Sequence, residues 1–326
     1  MADGNGLCIR HLSSGGIITN YYCTSSCRHC LYRCSPRWPK DYITPSVAKE
    51  LFATSKRFGC SGVHIGGGEP FLNFQGLLEV LRVARDQGIY IEYIETNSSW
   101  YKSLDDAAGK LEQVRELGVG TLLISVSPFH LEYIPFKKVQ GVVEACRKVG
   151  INRFLWTETF YHLFKRLDPS RRYSLEALEA ELGVPLKKLI GSYWLHPGGR
   201  ALETFFKGEM KASEVVAFNP GGCKELADTS HFHLDLYGNY VPGLCAGLSI
   251  WYEDLGKELD VAKYPVISTL YSRGVGGLLE YAQDLGFKPK DDGYGSKCSL
   301  CFEIRKFLSS KKKDSPELNP VWHYKF

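Results

Sequence analysis

From residue 16 to residue 160, short β-branched or aromatic runs alternate with segments of helical period, and few folds accommodate that order. Residues 16–22, 62–65, 90–96, 121–126 and 153–160 read as strands. Helices are expected over 45–58, where Thr44 is the cap and Pro45 lies in the first turn, and over 74–87, opened by Asn73. In the latter, Leu77, Leu78, Leu81 and Ala84 keep helical spacing; two more helices follow at 104–117 and 136–149. Residues 193–196 read as a sixth strand. Such alternation specifies βαβ units and a parallel sheet, either open or part of a barrel. In both cases functional groups gather at the carboxyl ends of the strands. The loop after residue 22, the glycine run at 66–68, Asn97, Ser125, Ser127 and Glu158 all fall at or near such ends.

The first of these ends carries Cys23, Cys27 and Cys30, a C-x3-C-x2-C spacing. A compact loop of this kind can wrap three thiolates around one iron–sulfur cube and leave the fourth iron for a non-protein ligand. A structural zinc site is the competing reading; it needs a fourth protein ligand, for which His29 or Cys34 is at hand. The second strand breaks into Gly66-Gly67-Gly68-Glu69-Pro70, where missing Cβ atoms let backbone approach a ligand.

Composition narrows the function classes. The chain has 326 residues, enough for one large α/β domain with an appendage or for two domains. A net charge of +4 argues for neither nucleic acid nor an anionic membrane. The start has no basic segment followed by an apolar one, and no apolar run reaches the roughly 18 residues that span a bilayer. A cytoplasmic location is expected. Eleven cysteines in a reducing compartment point to metal or redox chemistry rather than disulfides. Cys60 and Cys146 read as small apolar core residues.

Together, the cysteine spacing and the Gly67-Gly68-Glu69-Pro70 stretch resemble the radical S-adenosylmethionine (SAM) superfamily over roughly residues 16–200. The resemblance implies an α/β fold, a partial (β/α)6 TIM-like barrel, with a core over 1–204. It also implies a [4Fe–4S] cluster on Cys23, Cys27 and Cys30 whose open iron is chelated by SAM. One electron from the cluster would cleave the sulfonium, giving a 5′-deoxyadenosyl radical that abstracts hydrogen from substrate; flavodoxin or ferredoxin is the expected donor. By the same resemblance Gly67, Gly68 and the Glu69 carboxylate receive the methionine amine, and Asn97 and Ser125 contact ribose or carboxylate. Arg200 matches a late Gly-Arg-Ala stretch. His29 stands near the adenine, where family members usually have an aromatic residue. For Asn97, Ser125 and Arg200 the plain alternative is an ordinary polar loop residue, and His130 is either substrate-facing or structural.

The last third, 205–326, reads as a small iron–sulfur domain. It has a hairpin at 232–235 and 240–242, short helices near 261–272, 277–285 and 301–308, and a polar tail from Lys311. Cys223, Cys245, Cys298 and Cys301 can close a second [4Fe–4S] cluster, and a zinc ribbon uses comparable ligands. Position after a radical SAM core favours the cluster, and the layout resembles the twitch (half-SPASM) extension. The resemblance extends to peptide-modifying members, including peptide epimerases. Those epimerases keep a spare cysteine beside the auxiliary ligands; here full ligation consumes all four, which argues against epimerisation unless one of the four is free or Cys34 does that work. The alternatives are oxidation or rearrangement of a sugar, nucleoside or cofactor precursor, activation of a glycyl-radical enzyme, and a non-catalytic metal-binding module.

Overall fold

The computed structural model describes residues 6–325 except 192, 194 and 313. Strand β1 (Gly15–Ile18) lies inside the sheet and leads through the cysteine loop to helix α1 (Pro45–Arg57). The Thr44 hydroxyl accepts from Val47 N at 3.3 Å, and Pro45 sits where its missing N–H costs nothing. The alternation then proceeds as expected: β2 (Gly62–Gly66), α2 (Phe74–Asp86), β3 (Tyr90–Thr96), α3 (Leu104–Glu116) and β4 (Thr121–Ser125). A short turn of helix, α4 (Pro128–Leu131), precedes α5 (Phe136–Val149) and β5 (Asn152–Trp156).

Strands β1 to β5 are parallel and stand in the order β5-β4-β3-β2-β1. A parallel sheet covered on both faces would be apolar throughout. Here β2 and β3 alternate instead. Val63, Ile65, Ile91 and Ile94 are buried, whereas His64, Tyr93 and Glu95 are the polar counterparts between them. The sheet therefore curves around a polar cavity, with helices on its outer side.

Several expectations are corrected. Residues 193–196 form no strand in their described part (Trp194 lies outside it); Gly198 N turns back to His196 O at 2.8 Å ahead of Gly199, and the chain heads for the cysteine loop. The strand expected over 153–160 stops at Trp156, and Glu158 opens helix α6 (Glu158–Phe164), exposed and 3.5 Å from His162. Helices α7 (Leu175–Leu182), α8 (Leu186–Gly191), α9 (Ala201–Thr204) and α10 (Ala212–Phe218) follow.

The sixth parallel strand is β6 (Phe232–Asp235), and it pairs with β1, not β5. The hairpin expected in a separate module thus extends the core sheet: β7 (Asn239–Val241) and β8 (Ile250–Trp251) add antiparallel, giving eight strands in the order β5-β4-β3-β2-β1-β6-β7-β8. Asp235 fixes the hairpin turn by accepting from Tyr237 N and Asn239 N at 2.9 and 3.0 Å. The sheet is open, with β5 and β8 at its edges.

Two helices expected in the last third are one element, α11 (Pro265–Asp284), broken at Gly274 with φ 65°. Helix α12 (Lys297–Lys311) packs on it and starts early enough to include Cys298 and Cys301. The tail is not simply polar. Buried Glu317 accepts from Val266 N and Ile267 N at 2.9 and 2.8 Å, capping α11, and His323 lies edge-on to Tyr21 and Trp38 in the core.

Candidate active site

Strand β1 ends just before the cysteine loop, and the loop is held by both backbone and side-chain bonds. Cys23 N donates to Ser35 O at 3.3 Å, and Cys30 N to Cys27 O at 3.1 Å. Arg200 spans the loop from outside. Its backbone N–H donates to Cys30 O at 3.0 Å, and its guanidinium donates to Cys27 O at 2.6 Å and to Cys34 O at 3.0 Å. The planar fork sets two nitrogens at a fixed spacing, one for each carbonyl, which a single ammonium nitrogen does not reproduce. Gly199 allows this approach, since a Cβ there would lie 2.0 Å from Leu31 O. Arg28 pairs with Glu132 at 3.0 Å, and the Tyr133 hydroxyl donates to Ser26 O, anchoring the far side.

Within this frame Cys23 and Cys27 are buried and Cys30 half-buried, all lining one cavity. Burial pushes the Cys23 thiol up to about 12 and raises Cys27 as well. A hydrogen bond from the Cys34 thiol to the Cys30 sulfur holds Cys30 below its ordinary value. Buried thiols of this kind give up their protons when a cation compensates the charge.

The glycine run meets the cysteine loop at its stem. Gly68 N donates to Asn20 O at 2.7 Å, and a Cβ at Gly68 would lie 2.2 Å from Tyr22 O. The missing Cβ atoms thus admit the exit of β1, while Gly67 and Gly68 line the cavity. Glu69 differs from the expectation. Its carboxylate is fully buried and accepts from Phe71 N, Thr96 Oγ1 and Asn97 N at 3.2, 3.0 and 2.7 Å. It ties the end of β2 to the end of β3; burial raises it to about 7 despite these donors. Asn97 turns its amide to Cys23 Sγ at 3.2 Å, and Ser125 lines the cavity.

His29 packs among rings, with centroids 4.7 Å from Phe129, 5.0 Å from His130 and 5.3 Å from Tyr193. Burial drives its pKa far down, so the neutral imidazole behaves as one more aromatic wall. His130 is fixed by Ser127 Oγ at 2.7 Å and also faces the cavity. The cavity measures about 350 Å³ and brings together the three cysteines, Cys34, Gly67, Gly68, Asn97, Ser125, His29 and His130. Arg200 and Glu69 are not among its lining residues. The donor set fits an iron–sulfur cube with an amino-acid-bearing ligand: three thiols on one side, a glycine backbone edge on the other, and a buried His29 Nδ1 with no hydrogen-bond partner.

The second cysteine set is built differently. Cys223 precedes a 3₁₀ turn, Cys245 follows another, and Cys298 and Cys301 lie one turn apart at the start of α12. All four are half-buried, and Cys223, Cys245 and Cys298 each feel the charge of others in the set. Burial raises Cys298 to about 11 and Cys245 to about 12. Arg305, buried and donating to Ala246 O at 2.9 Å, stands beside Cys245 and Cys301. Sequence reasoning passed over Arg305; its place one turn beyond Cys301 on α12 was the available signal. It also passed over His64, His231, His233 and Glu95, although His231-Phe232-His233 in a strand puts two imidazoles on one face.

Residues 17–176 match the family model of the radical SAM superfamily. Over 130 residues the chain is 28% identical to the "putative peptide biosynthesis protein YydG" of Bacillus subtilis (strain 168), a match covering 39% of each chain. Solved structures that it resembles include anSMEcpe with bound AdoMet (14% identity, TM-score 0.42, 74% of this chain and 78% of that one). Another is Streptococcus suis SuiB bound to its precursor peptide SuiA (15% identity, TM-score 0.35, 73% and 60%). No described helix is long and apolar enough to cross a membrane. Residues 17–176 are thus a radical SAM domain, and that family implies a [4Fe–4S] cluster and SAM.

Proposed function

We propose that the protein modifies a peptide by SAM-dependent hydrogen abstraction, with a second iron–sulfur cluster supporting the reaction. The observation that carries this reading is the single cavity shared by Cys23, Cys27, Cys30 and the Gly67–Gly68 edge. A cube on the three thiolates and a SAM molecule supply, when bound, one-electron cleavage and hydrogen-atom abstraction. The chain's own residues do the rest. Arg200 holds the loop carbonyls so that the three sulfurs keep one geometry. Asn97 donates to Cys23 Sγ, a bond that strengthens as the sulfur gains charge. Gly67 and Gly68 offer backbone to a ligand's amine or carboxylate. His29, Phe129 and Tyr193 form an apolar wall that excludes water. Reducing equivalents come from a small redox protein such as flavodoxin or ferredoxin.

The peptide reading is supported by the identity to the Bacillus subtilis protein named for peptide biosynthesis. For the second set, Arg305 adds a buried cation beside Cys245 and Cys301, suited to a four-thiolate centre of net negative charge.

The test is anaerobic co-expression with the short open reading frames beside the gene, followed by peptide mass spectrometry. The expected result is a peptide lighter by two hydrogens, or one that gains deuterium from heavy water. Peptides that remain unchanged, with 5′-deoxyadenosine yield indifferent to their presence, would overturn the peptide reading and leave small-molecule chemistry.

A further inference from the structure

At the part of the cavity lined by β6 and β3 stands a cluster that no step above uses. Strands β6, β1 and β2 carry His233, Gly16 and His64 in register. Paired residues face the same side, so two imidazoles flank a position without a side chain. A Cβ at Gly16 would lie 2.3 Å from His64 Nε2. The gap lets the rings meet above β1 with their Nε2 atoms 3.1 Å apart, although their strands are two spacings, roughly 9.6 Å, apart. His231 joins from the same face of β6, its ring parallel to His64 at 7° and 5.2 Å between centroids. Among the described residues these three form the one group of His, Cys, Asp or Glu whose ligand atoms all lie within 4.8 Å of one another. Glu95 Oε1 is 3.9 Å from His64 Nε2, and Gly66 leaves room for that carboxylate.

We propose that His64, His231 and His233 bind one divalent transition-metal ion of the zinc type, with Glu95 completing the set until substrate arrives. Zinc–nitrogen bonds of about 2.0–2.1 Å place imidazole nitrogens about 3.3 Å apart, close to the observed approach. The Tyr32 hydroxyl lies 2.7 Å from His233 Nδ1; accepting Nδ1–H, it leaves the Nε2 lone pair toward His64. Tyr93 stacks on His64 at 4.9 Å and 4°, fixing the ring plane. His231, His233 and Glu95 all line the cavity, so the ion faces the space where substrate binds. There it holds a carbonyl or carboxylate oxygen of the substrate as a Lewis acid, by ligand exchange with Glu95.

The experiment titrates the reconstituted, iron-loaded protein with zinc sulfate, removes excess by desalting, and records metal content and the zinc-edge X-ray absorption spectrum. The expected result is one retained zinc per chain with only nitrogen and oxygen neighbours. His231→Ala removes an exposed ring, and His233→Asn keeps a polar side chain; each should lower zinc retention at least tenfold with iron content and melting temperature unchanged. No retained zinc, sulfur in the zinc shell, or retention unaffected by both substitutions would each overturn the assignment.

Discussion

The two cysteine sets are assembled by opposite means. Cys23, Cys27 and Cys30 lie within eight residues of one another, strapped by backbone bonds and the Arg200 fork, and they open onto a cavity. Cys223, Cys245, Cys298 and Cys301 come from three segments of the chain, meet around Arg305, and line no part of that cavity. The first set opens onto the cavity, whereas the second is half-buried and stands apart from it. The proposed division into a reacting and a supporting centre rests on that difference.

The largest effect expected from this contrast is that of Cys27→Ser. It should remove about four irons per chain while the second set keeps its own, as iron and sulfide analysis will read. Loss of both sets together would mean that the two regions do not load independently. Cys298→Ala is next: peptide product disappears while uncoupled SAM cleavage continues, as chromatography of both products reports. Retained product would remove the supporting role.

Arg200→Ala and Arg200→Lys come third. Each should lower cluster retention and SAM cleavage by about 10- to 100-fold, with lysine failing to rescue because it lacks the two spaced nitrogens that reach Cys27 O and Cys34 O. Rescue by lysine would show that charge, not the fork, matters.

The smallest effect is on pH dependence, and it treats both regions alike. Glu69 behind the first set and Glu317 beneath α11 are each raised from 4.5 to about 7 by burial. A carboxyl raised on folding binds more protons in the native state, so its contribution is fully present below 4.5 and is lost as pH rises through 7. Melting temperature should therefore rise between pH 8 and pH 5.5. Glu69→Gln and Glu317→Gln should each flatten that slope by on the order of 1–3 kcal/mol over the interval. An unchanged slope in both variants would assign it elsewhere.

The contrast also accounts for what the sequence revealed. The first set was legible because its ligands are contiguous and each strand end carries its own turn chemistry. Arg200 was noticed through its Gly-Arg-Ala stretch, yet its partners are loop carbonyls that no side-chain pattern displays. Glu69 reads as a ligand contact in the sequence; its bonds to Thr96 and to the Asn97 amide form only when β2 and β3 lie side by side, so no sequence pattern displays them. The place of β6 was hidden for the same reason. Residues 193–196 have strand-forming composition, and only pairing with β1 reveals that Phe232–Asp235 takes the sixth parallel position. His64 and His233, 169 residues apart, meet only because Gly16 lies between them.

The most direct measurement is 5′-deoxyadenosine formed when the anaerobically reconstituted, reduced protein is given SAM. The account predicts its formation in the wild type and in Cys298→Ala, and none in Cys27→Ser. No 5′-deoxyadenosine from the wild type, or equal yields from wild type and Cys27→Ser, would contradict it.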